Sequence, residues 1–211
     1  MEVRESRLRP AQEGKEATRQ RILDAAEEVF SEKGYHGSAV DDIVRASSTS
    51  KGSFYFHFPS KQEIFFSLVD RLISHLARST EEAISRESGA LAKVTAALDT
   101  VFRTFTRHRS LAKILLVGGV GLGRAFDERL LAIHSRFADA IRSHLDEAVE
   151  EGSIPPVDTE LTAYVWMGAV NEVIVRWLYT GQPEPLEGAL HDLRGLLLRS
   201  IGAEAAVKEK P

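Results

Sequence analysis

The chain has 211 residues, 43% of them hydrophobic, with 27 Lys and Arg against 31 Asp and Glu, a formal net charge of −4 and no cysteine. That length and apolar content suit one small and one larger packed domain, and the missing cysteine rules out disulfides, thiolate metal sites and a cysteine nucleophile. Seven histidines are scattered without metal spacing, so catalytic residues, metal ligands and cofactors are all expected to be none.

Met1 to Gly14 alternates charges around no apolar core, so it does not read as a signal peptide. Residues 1–14 are expected to form a flexible tail, as are 204–211, and the protein is expected in the cytoplasm. Further on, Asp41 to Ala46 reads as a short helix with Ser38 capping its first turn and Asp41 completing a capping box. Ser47, Ser48, Thr49 and Ser50 compete with the backbone for hydrogen bonds and favour a turn. A second short helix starts near Ser50 or Lys51 and stops before Pro59, because the residue ahead of a proline is pushed out of the α region. Two short helices about four residues apart make a helix-turn-helix candidate. Ser60 to Glu63 is a second capping box, after which Phe65, Leu68, Val69, Leu72, Ile73 and Leu76 mark a long amphipathic helix.

Between Arg45 and Lys61 the sequence holds Arg45, Lys51, His57 and Lys61 with no acid, whereas Asp24 to Asp42 holds six acids against Lys33 alone. A basic face on an acidic body suits a DNA-binding protein whose non-specific affinity stays low. An ordinary solvated surface is the alternative reading of the same charges.

Thr18 to Ala26, then Phe30, Gly34 and Tyr35, precede the helix pair at a spacing that resembles the TetR family of bacterial transcription regulators, over roughly Ala17 to Leu68. Ser48 stands where that family usually carries glycine, and Thr49 where it usually carries an aliphatic residue; serine adopts a left-handed backbone only at some cost. The resemblance implies a three-helix DNA-binding domain over residues 15–62, with the second short helix in the major groove. Thr49, Lys51, Gly52, Ser53 and Phe56 would then lie towards the bases, Ser38, Tyr55, His57 and Lys61 would hold phosphates, and Ser50 at the helix start would belong to the same DNA-binding set. Phe54 and Phe58 would anchor that helix on Ile22, Ala26 and Phe30. For Phe56, packing into the core remains an alternative to base contact.

The rest of the chain is helical by period: Leu91, Val94, Leu98, Val101, Phe102 and Phe105; then Leu130, Ile133, Phe137, Ile141, Leu145 and Val149; then Leu186, Leu190, Leu193, Leu197 and Ile201. Gly89, the glycine-rich Val117 to Gly123, Gly152 to Pro156 and Gly181 to Pro185 separate these sets. The run Val117 to Gly123 matches neither phosphate-binding fingerprint and follows a helix instead of a strand. An all-α fold of about nine helices follows, with residues 63–203 forming the larger domain. Its apolar stretch Ala163 to Tyr179 is broken by Asn171, Glu172 and Arg176, so it reads as a buried helix and not a membrane span.

That helix is apolar nearly all round, as expected when several sides are covered, and the last helix steps its leucines like a coiled-coil seam. The resemblance implies a homodimer through these two helices, with Trp177, Leu190, Leu193 and Leu197 at the interface, although the same periodicity fits plain core. It also implies a small-molecule effector between the helices of this domain. Candidate contacts are Phe102, Phe105, Arg109, Leu115, Phe137, Trp166, Val170, Asn171 and Val173, each of which also fits plain core or surface. Trp166 to Trp177 is similar to the corresponding helix of TetR-type regulators of fatty-acid degradation, which implies a long-chain acyl-CoA with its phosphates near Arg103, Arg107, Arg109 or Lys113. The expected function is a ligand-released repressor on a palindromic double-stranded operator. A ligand-independent or sequence-neutral nucleic-acid-binding dimer is the rival.

Overall fold

The computed structural model describes residues 2–118 and 122–203, with side chains from Gly14 onward. Within them the chain is all α-helical: α1 Glu2–Lys33, α2 Val40–Ala46, α3 Lys51–His57, α4 Lys61–Ile84, α5 Ala90–Arg107, α6 Arg109–Leu116, α7 Arg124–Glu150, α8 Thr159–Thr180 and α9 Leu186–Ser200. Helix α1 therefore runs through residues 2–14, where a tail was expected, while the expected tail at 204–211 lies outside the described residues. None of the described helices is long and apolar enough to cross a membrane.

The N-terminal cluster forms because three short apolar faces meet. Ile22, Ala26 and Phe30 of α1, Ile43 of α2, and Phe54 and Phe58 in and after α3 are all buried. Gly34 ends α1 with φ +71° and returns its N–H to the Phe30 carbonyl at 2.9 Å, a conformation cheap only for glycine. Serines start the next helices: Ser50 Oγ accepts from the Ser53 N–H at 3.0 Å and Ser60 Oγ from the Glu63 N–H at 3.1 Å, each satisfying an otherwise orphaned donor. The cap of α2 differs from expectation by one residue. Ala39 is its N-cap, Asp42 rather than Asp41 accepts the Ala39 N–H at 2.9 Å, and Ser38 is buried and donates its hydroxyl to the Tyr35 carbonyl at 2.8 Å.

Beyond it, α4 packs on α5, α5 on α7 and α7 on α8, while α9 lies over α5 and α8 and the short α6 touches α1, α4 and α8. The leucine seam of α9 turns inward. Trp177, Leu190, Leu193 and Leu197, expected at an interface between copies, are all buried within the single chain at 9%, 3%, 9% and 5% exposure. What α8 and α9 leave outside is a different apolar set, Leu161, Tyr164, Val165, Tyr179 and Leu196, each more than half exposed.

Candidate nucleic-acid interface and effector cavity

Helix α3 is held from behind by Phe54 and Phe58, which are buried, so its opposite side faces solvent. That side carries Lys51, Gly52, Tyr55 and Phe56, with Ser53, His57 and Thr49 half-buried beside them. Phe56 is 69% exposed, which removes the core reading of this ring and leaves it free for an apolar base contact. Lys15 of α1 rests over it, Nζ 4.9 Å from the ring centroid. A Cβ on Gly52 would meet only Ser50 Oγ, at 3.9 Å, so nothing within the chain crowds this surface. The turn before α3 keeps its left-handed residue despite the serine: Ser48 has φ +52°, and among the described residues no other non-glycine has positive φ. Thr49 is tied into that turn, its hydroxyl 2.8 Å from the Ser47 hydroxyl.

Two of the expected phosphate ligands are placed elsewhere. Lys61 does not project from the first turn of α4. Its Nζ donates to the carbonyls of Tyr35 at 2.6 Å and Ser38 at 2.7 Å, sits 4.2 Å from the Tyr35 ring centroid, and has its pKa lowered by burial. Ser38 is buried beneath the same contact. Lys61 thus fixes the α1–α2 loop and Ser38 is part of what is fixed. Lys51, by contrast, is exposed and bonded by Asp41 Oδ1 at 2.7 Å; that hydrogen bond, followed by the coulombic attraction, raises its pKa. His57 has its pKa lowered by burial and then by Lys15, so the imidazole is offered as a neutral partner near pH 7. Sequence reasoning missed Asp41 as a partner of Lys51, which no local spacing reveals.

The larger set of helices encloses a cavity of about 130 Å³. Phe105, Leu115, Phe137, Trp166, Val170 and Asn171 line it as expected from the sequence, but Phe102, Val173 and Arg109 do not. Phe102 is buried core, and the exposed Arg109 lies over the Trp177 ring, 4.4 Å from its centroid. Missed were the contributions of α4 and, beside Phe137, most of those of α7, among them Leu76, Thr80 and Ile84 on the first and Ile133 and His134 on the second. The signal was present, because continuing the four-residue step from Leu76 reaches Thr80 and Ile84. Burial lowers the pKa of His134. Glu172 and Arg176, which are i, i+4 on α8, both stand exposed without forming the ion pair their spacing allows.

Both regions are mechanically joined. Arg71 of α4 bonds Asp24 Oδ1 at 2.7 Å and also Glu27, both on α1, and Ser31 of α1 bonds Ser110 of α6 at 3.1 Å. Among the described residues no group of three or more His, Cys, Asp or Glu side chains is placed to hold a metal ion.

Comparison with known proteins gives the architecture a family. Residues 22–68 match the family described as bacterial regulatory proteins, tetR family, and residues 87–184 match the tetracyclin repressor-like C-terminal domain. A fatty acid metabolism regulator protein of Bacillus subtilis is 24% identical over 181 residues, spanning 85% of this chain and 93% of its own. Among solved structures, the transcriptional regulator FadR from Bacillus subtilis in complex with stearoyl-CoA aligns with a TM-score of 0.76 at 22% identity, covering 87% of this chain and 98% of that one. AibR in complex with isovaleryl coenzyme A and operator DNA aligns with a TM-score of 0.70 at 17% identity, covering 85% and 97%. At those identities the structures speak to the fold alone, whereas the two consecutive family matches extend from the helix-turn-helix through α8: the chain belongs to the TetR family of bacterial DNA-binding transcriptional regulators.

Proposed function

We propose that the protein is a repressor that binds a palindromic operator as a homodimer through residues 15–62 and lets go when an amphipathic molecule fills the cavity in residues 63–203. One observation carries the reading: the same two helices reach from the cavity to the DNA-binding cluster. Helix α6 puts Leu115 into the cavity wall and Ser110 against α1, and α4 lines the cavity with Leu76 and Thr80 while Arg71, earlier on it, grips α1. A ligand that parts these helices moves α1, and with it the separation of the two recognition helices in a dimer. Such coupling needs only that the ligand fit one arrangement better than the other. Half-sites about one helical turn apart accept a single separation.

In this reading Lys51, Gly52, Ser53 and Phe56 face bases while Tyr55 and His57 meet phosphates. For the effector we propose an acyl-CoA ester, a class that the two solved relatives carry in their complexes. Arg103, Arg107 and Lys113 stand exposed near the α5–α6 junction without an acidic partner among the described residues, and they suit the CoA phosphates. A cavity of this size is on the scale that holds benzene, so a short or branched acyl group fits the helices as they stand and a long chain requires them to move apart.

The test is a titration of the full-length protein with stearoyl-CoA and with isovaleryl-CoA, following both thermal midpoint and affinity for a duplex selected from random sequence. Binding at a hundred times the dissociation constant should stabilise the protein by about 2.7 kcal/mol and weaken the duplex complex. If neither ester changes either quantity, the acyl-CoA assignment is wrong. If single-stranded DNA binds as well as the selected duplex, sequence-neutral binding replaces the operator reading.

A further inference from the structure

Several threonines inside these helices satisfy their hydroxyls locally, by donating to the carbonyl four residues back. Thr95 bonds Leu91 at 2.9 Å, Thr104 bonds Thr100 at 2.8 Å, Thr106 bonds Phe102 at 3.0 Å, and Thr180 bonds Arg176 at 2.8 Å. Thr80 of α4 does not. Its Oγ1 is the one buried side-chain polar atom among the described residues with no hydrogen-bond partner, and the residue lines the cavity. An orphaned buried hydroxyl is costly, and native proteins keep few of them without a reason.

The surroundings restrict what can relieve it. No Lys, Arg, Asp or Glu lines the cavity. Of the polar residues that do, besides Thr80, Asn171 carries an uncharged amide, His144 is already drawn to Glu147 at 3.4 Å, and burial biases His134 towards its neutral form. A carboxylate or ammonium seated here would lose its hydration with no opposite charge in return, which is prohibitive. The volume of about 130 Å³ suits a body of roughly benzene size.

We infer that Thr80 is the polar anchor of the cavity, its hydroxyl bonding the single uncharged oxygen, a hydroxyl or carbonyl, of a small apolar ligand. This rests on the cavity being the effector site and leaves open whether a CoA group is attached, since a thioester carbonyl is one such oxygen. The part of the ligand inside the cavity is thus an uncharged, mostly apolar body with one hydrogen-bonding group, and a free carboxylate there is excluded.

Phenol, toluene and benzoate serve as probes of near-equal size, titrated by calorimetry and thermal midpoint into the full-length protein without DNA. Phenol should bind the native protein more tightly than toluene. Thr80→Val, which keeps the side chain's shape, should weaken phenol roughly three- to tenfold while leaving toluene unchanged, and should raise the midpoint of the ligand-free protein because the orphan is gone. Benzoate should bind least. The anchor is refuted if Thr80→Val leaves phenol affinity intact, if it lowers the ligand-free midpoint, if benzoate outbinds phenol, or if no probe binds. In a separate titration with the selected duplex present, Thr80-dependent phenol binding that leaves duplex affinity unchanged would support the anchor while removing effector control.

Discussion

Lys51 and Lys61 are both lysines at the first position of a helix, yet their surroundings give them different work. Lys51 is exposed with a single carboxylate neighbour, Asp41, and a phosphate can replace that neighbour at little cost because solvent screens an exposed ion pair. Lys61 is held by two carbonyls, and moving it would leave those acceptors without their charged donor. Removing it by Lys61→Met should cost about 1.5–3 kcal/mol of stability, the range for hydrogen bonds to a charged group. It should weaken DNA binding only through the loosened α1–α2 loop, leaving the salt slope unchanged. Lys51→Met should do the reverse: near-native stability, a salt slope smaller by about one, and relaxed sequence preference. Equal loss of salt slope in the two variants would show that Lys61 reaches phosphate after all. Both lysines were visible in the sequence as cations at helix starts, but the fold alone brings the Tyr35 and Ser38 carbonyls to one of them.

At the scale of whole elements the sequence was most legible where one period has one meaning. The faces of α4, α5 and α7 were read from their apolar steps, and the serine-started helices from their caps. Legibility ended where burial by the chain itself and burial by a second copy produce the same pattern, which is why the α9 leucines were placed at an interface and lie instead in the core. It also ended where a cavity is lined by several helices far apart in sequence: the four-residue step from Leu76 puts Thr80 on the apolar face of α4, but nothing local tells that this face meets Trp166 of α8 across a cavity. His134 has a measurable consequence for α7. Burial lowers its pKa, as it does for His57 and His108, to which Lys15 and His75 add respectively. The folded protein therefore binds protons less readily at these rings than the unfolded chain, whose histidines titrate near 6.5. Their contribution to stability is complete above about pH 6.5 and is lost as pH falls through the folded values. Melting temperature should drop between pH 7 and 5, before the lowered carboxyls Asp42 and Glu147 begin to protonate, and His134→Asn should make that drop shallower. A midpoint that is flat or rises on acidification across this range would contradict the assignment.

For the molecule as a whole, the exposed stripe Leu161, Tyr164, Val165 and Tyr179 on α8 with Leu196 on α9 is the face where we predict a second copy to pack when two recognition helices read one operator. Leu161, Tyr164 and Val165 lie three and four residues apart on α8, and the exposed Gly168, Glu172, Arg176 and Tyr179 continue that face in steps of three and four, Gly168 allowing close backbone approach. Glu172 and Arg176 stand exposed on the same helix, free to pair with a partner related by two-fold symmetry, in which each contact occurs twice. Val165→Asp therefore places two charges in such an interface and none in the fold. The variant should sediment as a monomer, keep its helical circular dichroism, and lose operator affinity at concentrations where the native protein binds. Its melting should become independent of protein concentration, as expected when association no longer contributes to stability. Leu193→Asp supplies the contrast. That side chain is 9% exposed within one chain, where a buried leucine contributes about 1.5–3 kcal/mol and an unpaired buried charge costs several more, so the variant should unfold and not merely dissociate. A Val165→Asp protein that remains dimeric and binds its operator normally would move the interface off this face.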